Sequence, residues 1–292
     1  MVNYVHPCSF PKPCFLCILS PMAIKLLATD MDDTLLAHDL SITPGNKEAL
    51  EAAEDLGVHI VLASGRSLFS MNPYVKSLGI DSREGYVISW NGSLVTDART
   101  QKPLFEHFLE TSVIEEVVDW CAERNLSLQT QKDSRILVIN ISKYSQLDVV
   151  LSKLELVESD RAGFLSMPLP KLIIPGDPED LTPIENSLKA HFGDRARLFR
   201  SKPYFLEIMP PESDKGLALA HLAQILGLKR EEVMAIGDAG NDKHMIEWAG
   251  TGVAMANGTE EVRQAADWVT SKTNDEDGFA EAVHRFVISP KN

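Results

Sequence analysis

Ile24-Lys25-Leu26-Leu27-Ala28-Thr29-Asp30-Met31-Asp32-Asp33-Thr34 is the stretch that decides the fold of this chain. Its apolar half, Ile24 to Ala28, reads as a buried strand, because a short apolar run bounded by polar residues suits a strand covered on both faces. That strand delivers a cluster of acids to its carboxyl end. Thr43 then supplies a cap and Pro44 a first position for a helix, in which apolar or small residues recur at Leu50, Ala53 and Leu56 until Gly57 stops it. A second apolar strand, Val58 to Ala63, runs into Ser64-Gly65-Arg66. Strand, helix, strand predicts parallel pairing through a right-handed crossover.

The carboxyl-terminal part repeats the alternation, with a helix from Lys215 to Leu226, a strand from Val233 to Ile236 and then Gly237-Asp238-Ala239-Gly240-Asn241-Asp242. Further units at Val253 to Met255, Trp268 to Thr270 and Phe279 to Val287 continue it. The middle differs, with a hairpin-like stretch from Ser93 to Phe108, alternating strands near Arg135 to Ile141 and Lys171 to Ile174, and helices near Ser112 to Glu123 and Asp180 to His191. The predicted class is therefore α/β, a doubly wound and mostly parallel sheet carrying an inserted α+β cap. The expected division is a leader at 1–21, a first core segment at 22–91, the cap at 92–203 and a second core segment at 204–292.

Composition bounds the function. The 292 residues suit two domains, 44% of them are hydrophobic and 24% charged, and no apolar run is long enough to span a bilayer. A formal charge of -14 opposes attraction to a nucleic-acid backbone, whereas a bound cation and a few lysines can still create a site for a phosphorylated metabolite. Cys8, Cys14, Cys17 and Cys121 are too few and too uneven for a disulfide scaffold, which favours a reducing cytoplasm and a monomer or small homo-oligomer without a membrane partner. In the leader, His6 and Cys8 precede a C-x-x-C pair at Cys14 and Cys17, but no second pair at finger spacing supports zinc. Met1 to Pro21 reads as a disordered or misassigned extension, with Met22 the natural start.

Ligands of open parallel sheets bind beyond the carboxyl ends of the strands, where the winding reverses. Three loops compete for that place: Asp30 to Thr34, Ser64 to Arg66 and Asp238 to Asp242, and the first must lie centrally if the others flank it. Asp30, Asp32 and Asp238 would then repel one another unless a cation lay between them, and oxygen ligands without imidazole or thiolate suit Mg²⁺. An acidic strand end on its own is as often a solvated turn.

Asp30-Met31-Asp32-Asp33-Thr34, Ser64-Gly65-Arg66, Lys215-Gly216 and Gly237-Asp238-Ala239-Gly240-Asn241-Asp242 resemble, in order, the four motifs of the haloacid dehalogenase superfamily. Asn91-Gly92 and Gly252-Val253-Ala254-Met255-Ala256-Asn257 resemble more narrowly its Cof-like branch of sugar-phosphate phosphatases, and the likeness spans Met22 to about Val287. The second acid of the D-x-D argues against the dehalogenases themselves. The resemblance implies that Asp30 is the nucleophile and Asp32 the acid and then the base, its backbone carbonyl also binding metal. It implies that Asp238 holds Mg²⁺ and that Ser64, Lys215 and Asn241 bind the phosphoryl group. Thr34, Gly65, Arg66, Asn91, Gly92 and Asp242 would support them, Asp242 by tethering Lys215 or a metal-bound water. A phosphosugar mutase and a receiver-type phospho-acceptor share parts of this pattern.

Overall fold

Residues 23–290 are described by a computed structural model. The expectations for residues 1–21, including a zinc site at His6, Cys8, Cys14 and Cys17, lie outside the described residues.

Strands β1 (Leu26–Thr29), β2 (His59–Ala63) and β3 (Tyr86–Ser89) pair in parallel, and β4 (Leu94–Asp97) and β5 (Pro103–Glu106) extend the same sheet antiparallel. The second sheet contains β6 (Leu128–Lys132), β7 (Arg135–Ile139), β8 (Glu155–Glu158), β9 (Leu172–Pro175), β10 (Arg197–Lys202) and β11 (Phe205–Met209). The chain then returns through β12 (Val233–Gly237), β13 (Thr251–Ala254) and β14 (Trp268–Val269). The strand orders are β14-β13-β12-β1-β2-β3-β4-β5 and β10-β11-β9-β6-β7-β8. β1 therefore lies between β12 and β2, the central position its acids require.

Helices cover both faces of the first sheet, which makes it a doubly wound layer. Leu27 packs with Leu50, Ile60, Phe279 and Val283, while its neighbour Leu26 packs with Val61, Leu219, Leu222 and Met245 on the other side. Successive side chains of a strand point to opposite faces, so a strand between two helical layers must be apolar at consecutive positions. Thr43 caps the helix Pro44–Asp55 by accepting from the Asn46 N–H, and Gly57, with φ 83°, ends it in the left-handed region.

The expected boundaries of the insert require correction at both ends. The hairpin from Leu94 to Glu106 belongs to the core sheet, because β4 pairs with β3, so the chain enters the cap after residue 106 and not at 92. At the other end β11 pairs with β9 and β10, which keeps residues 205–209 in the cap sheet and moves the exit past 203. A hairpin that continues a parallel sheet through an antiparallel edge has the same alternation as one that starts a new sheet; only the pairing partner distinguishes them.

The cap sheet has two unlike faces. Leu128, Leu172, Ile174, Leu206 and Ile208 join a core with Val117 and Leu188 from the cap helices Thr111–Glu123 and Pro178–Phe192. The alternate residues Gln129, Ile173 and Glu207 lie in one cross-strand row through β6, β9 and β11, on the opposite face.

Candidate active site

Parallel register sets the site. Thr29 pairs with Leu62 on one side and Ile236 on the other, so Asp30, Ser64 and Asp238 all emerge within two residues of that level at the carboxyl edge. The Asp30 N–H donates to the Ile236 carbonyl (2.9 Å), and Asp33 takes φ 59°, which turns the chain out of the strand. Asn257 Nδ2 donates to the Asp33 carbonyl (2.7 Å), holding the acidic loop from the side.

Lys215 is the electrostatic centre. It has no exposed surface, and its Nζ donates to Asp30 Oδ1 at 2.5 Å and to Asp242 Oδ1 at 2.6 Å. Asp242 Oδ2 accepts from the backbone N–H groups of Asp238 (3.1 Å) and Ala239 (3.0 Å), and Thr34 Oγ1 donates to Asp238 Oδ1 (2.9 Å). Asp214 caps the helix Lys215–Ile225 by accepting from the N–H groups of Gly216 and Leu217, which fixes where Lys215 starts. The same carboxylate accepts from Arg197 (2.6 Å) and contacts His244 Nδ1 (2.5 Å).

Charge and burial set the acidities. Burial, reinforced by Asp242, pushes the Asp30 carboxyl well above its ordinary value against the pull of Lys215. Burial and then Asp242 push Asp238 up to about 7. Burial alone would lower the Lys215 ammonium, but Asp242 and Asp30 outweigh it and raise it. Asp32 goes the other way: desolvation would raise it, but the hydrogen bonds and charge of Arg66 hold it below the ordinary carboxylate value. Arg66 Nε and Nη2 bind Asp32 Oδ2 (2.8 Å) and Oδ1 (2.5 Å) as a two-pronged clamp.

Of the residues expected from the sequence, Asp30, Lys215, Asp238, Asp242 and Thr34 come together in one hydrogen-bonded group. The Asp32 side chain stands apart on Arg66, so only its backbone remains for the cation role expected of it. Ser64 is buried and its Oγ accepts from the Arg66 N–H (3.2 Å), while Asn241 Nδ2 donates to Asn91 Oδ1 (3.0 Å). Trp90, Asn91 and Gly92 form a left-handed turn, with φ 46°, 50° and 100°. A side chain at Gly92 would collide with the Asp214 backbone, which is why the turn into β4 can lie against the residue that positions Lys215. Gly65 presents its carbonyl to Lys171 Nζ of the cap (3.4 Å).

Carboxylate oxygens of Asp30, Asp238 and Asp242 lie within 4.8 Å of one another, with no imidazole or thiolate among them. Three carboxylates against one ammonium, two of them with pKa values pushed up, form a donor set that fits a hard divalent cation. Sequence reasoning quoted Asn257 within the Gly252 to Asn257 motif without giving it a role, and did not single out Asp214, His244 or the cap residues Lys171 and Glu207. Asp214, directly before a helix start, carries a readable capping signal; the others act across the fold and have none.

The cavity over Asp30 has a volume of about 590 Å³ and runs between Ser64, Arg66 and Asp238 below and Gln131, Lys171 and Glu207 above. That size suits a small organic ligand. A family model for haloacid dehalogenase-like hydrolases matches residues 27–283. The chain is 32% identical over 272 residues to 5-amino-6-(5-phospho-D-ribitylamino)uracil phosphatase YcsE of Bacillus subtilis (strain 168), covering 91% of this chain and 96% of that protein. It is 30% identical over 240 residues to the HMP-PP phosphatase of Serratia proteamaculans (strain 568), covering 82% and 86% respectively. A haloacid dehalogenase-like hydrolase from Bacteroides thetaiotaomicron superposes with a TM-score of 0.84 at 36% identity, covering 90% of this chain and 99% of that one.

Proposed function

Because the chain belongs to the haloacid dehalogenase-like hydrolases, and is a phosphatase of that family, we propose that it hydrolyses the phosphate monoester of a small metabolite, a sugar phosphate, through an acyl phosphate on Asp30 with Mg²⁺ as cofactor. The observation that carries this reading is the convergence of Asp30, Lys215, Asp238 and Asp242, drawn from separate loops at one sheet edge. A relative named for a phosphorylated ribityl compound supports a polyhydroxylated leaving group. The cysteine usage supports a cytoplasmic enzyme, and among the described residues no helix is long and apolar enough to cross a membrane.

Lys215 holds Asp30 Oδ1, which leaves Oδ2 to attack phosphorus as the bond to the leaving oxygen breaks. Asp32 gives that oxygen its proton, then takes one from the water that attacks phosphorus, which breaks the Asp30–phosphate bond and releases phosphate. Clamped by Arg66, Asp32 is in its base form, so proton delivery in the first step requires Arg66 to turn toward the incoming phosphate. Lys215 and Ser64 hold the phosphoryl oxygens, and Asn241 with Asn91 lines their approach. Asp30 and Asp238, with the Asp32 carbonyl, would hold Mg²⁺, which when bound neutralises charge on the transferring group. Asp242 serves as the tether of Lys215, since both its oxygens already accept hydrogen bonds.

The test is steady phosphate release from phosphomonoesters with Mg²⁺, with and without EDTA, beside trapping of the phosphoenzyme. Asp30→Asn should abolish both turnover and labelling. One equivalent of stable phosphorylation without turnover would support a phospho-acceptor instead, and transfer back to sugar without free phosphate a mutase.

A further inference from the structure

Buried polar residues need a reason, and the inner side of the cap has five: Gln129, Gln131 and Glu207 on its strands, Lys171 just before β9 and Asp148 on the helix Lys143–Ser152. Lys171 and Glu207 are both almost fully buried and lie 3.4 Å apart, and Asp148, also buried, accepts from Gln129 Nε2 (2.6 Å) and from Gln131 Nε2 (3.3 Å). Lys171, Glu207, Gln131 and Asp148 all line the cavity that contains Asp30. Glu207 Oε2 and Gln131 Oε1 have no hydrogen-bond partner there and are shut off from water. Unpaired buried acceptors are costly to leave so, and the terminal torsions of Glu and Gln are soft enough to turn either oxygen to the cavity.

The unfilled capacity is all of one kind. Glu207 and Gln131 offer unpartnered acceptors beside the Asp148 carboxylate, whereas the buried cation Lys171 already faces Glu207 and the Gly65 carbonyl. Lys202, the other cap cation of the cavity, is exposed, where an ion pair contributes little. Ile173 and Phe205 supply an apolar wall beside these acceptors.

We propose that Glu207, Asp148 and Gln131 select the leaving group, and that it is a donor-rich polyol or amino polyol bearing no second anionic group. This deepens the phosphatase reading and rests on it. Hydroxyl or ammonium donors fill the vacant acceptor positions, whereas a second phosphate or a carboxylate would meet two carboxylates with no uncommitted buried cation.

The experiment measures kcat/KM of the full chain with Mg²⁺ on p-nitrophenyl phosphate, ribitol 5-phosphate, glucosamine 6-phosphate, n-pentyl phosphate and fructose 1,6-bisphosphate. Ribitol or glucosamine phosphate should exceed both pentyl phosphate and the bisphosphate by about 10- to 100-fold, the range for hydrogen bonds to charged groups. Glu207→Gln, which keeps the shape, should narrow the gap to the bisphosphate several-fold, and Glu207→Ala should narrow the gap to pentyl phosphate as well. Turnover of p-nitrophenyl phosphate with pentyl phosphate or the bisphosphate preferred, or with no discrimination, overturns the proposal while the phosphatase reading stands. No release from any ester, p-nitrophenyl phosphate included, overturns both.

Discussion

Asp238→Asn should stabilise the metal-free protein at pH 8 while removing its activity. Asp238 is partly buried beside Asp242, and its carboxyl is pushed from the ordinary 3.8 to about 7. In the folded, metal-free chain it therefore keeps a proton that the unfolded chain releases above pH ~4. The folded state binds more protons between those values, so stability falls as pH rises from about 4 to about 7 and is flat beyond. A shift of about 3 units corresponds to an upper limit of about 4 kcal/mol at 1.36 kcal/mol per unit. Asn is neutral and retains an oxygen to accept from Thr34, so it removes this penalty without removing the contact. Thermal unfolding in EDTA across pH 5 to 8 reads the difference. The variant should gain less than half as much at pH 5 as at pH 8, at about 2–4 °C per kcal/mol for a chain of this class. Wild type should recover stability on adding Mg²⁺ and the variant should not. A variant that melts lower than wild type at pH 8 in EDTA would refute the electrostatic reasoning, because Asp238 would then contribute net stability as an anion.

Lys215→Met should lower kcat at least about 10³-fold and destabilise the fold by about 3–5 kcal/mol at pH 8, because it strands two buried carboxylates. The loss should shrink as pH falls and Asp30, whose carboxyl burial already pushes well above its ordinary value, takes up a proton, and a pH-independent loss in urea unfolding would count against the pairing. Arg66→Ala should let the Asp32 pKa rise toward and above its ordinary value, moving the alkaline limb of the kcat/KM profile to higher pH; an unmoved limb would remove Asp32 as the acid. Gly92→Ala should destabilise by roughly 1–3 kcal/mol and reduce activity through Asp214, and an unchanged melting temperature would contradict the left-handed turn packed on that residue.

The core was legible because its elements are short, apolar and separated by capping signals. Leu26 and Leu27 report a strand buried on both faces without reference to any partner, and Thr43, Pro44 and Gly57 mark a helix from local chemistry alone. The acids were legible for the same reason, since a strand end announces where its loop must lie. The partner of Asp32 was not, because Arg66 reaches it across 34 residues through the geometry of two adjacent loops. Nor was the limit of the cap, since Leu94 to Asp97 and Phe205 to Met209 alternate alike and differ only in the sheet that accepts them. The roles of Glu207 and Gln129 were not legible, because periodicity cannot say which face of a strand meets the core.

The hinge explains how the site can open without coming apart. The His107 N–H donates to the Ser93 carbonyl, and Ser93 Oγ lies 2.7 Å from Ser213 Oγ, so the segments leaving for the cap and returning from it run side by side. Two residues beyond Ser213, Lys215 is already fastened to Asp30 and Asp242, both on core loops, while Asp214 fixes the first turn of its helix. The ion pairs of Lys215 with Asp30 and Asp242 are thus made within the core. The cap reaches the loops around them through Lys171 on the Gly65 carbonyl and through Arg197 on Asp214, contacts at 3.4 and 2.6 Å. The second contact, shorter and charge-assisted, is the stronger of the two. In the proposed reaction, leaving-group selection and phosphoryl chemistry thus fall to residues of different sheets, so that substitutions on the cap face should change substrate preference more than they change the chemistry at Asp30.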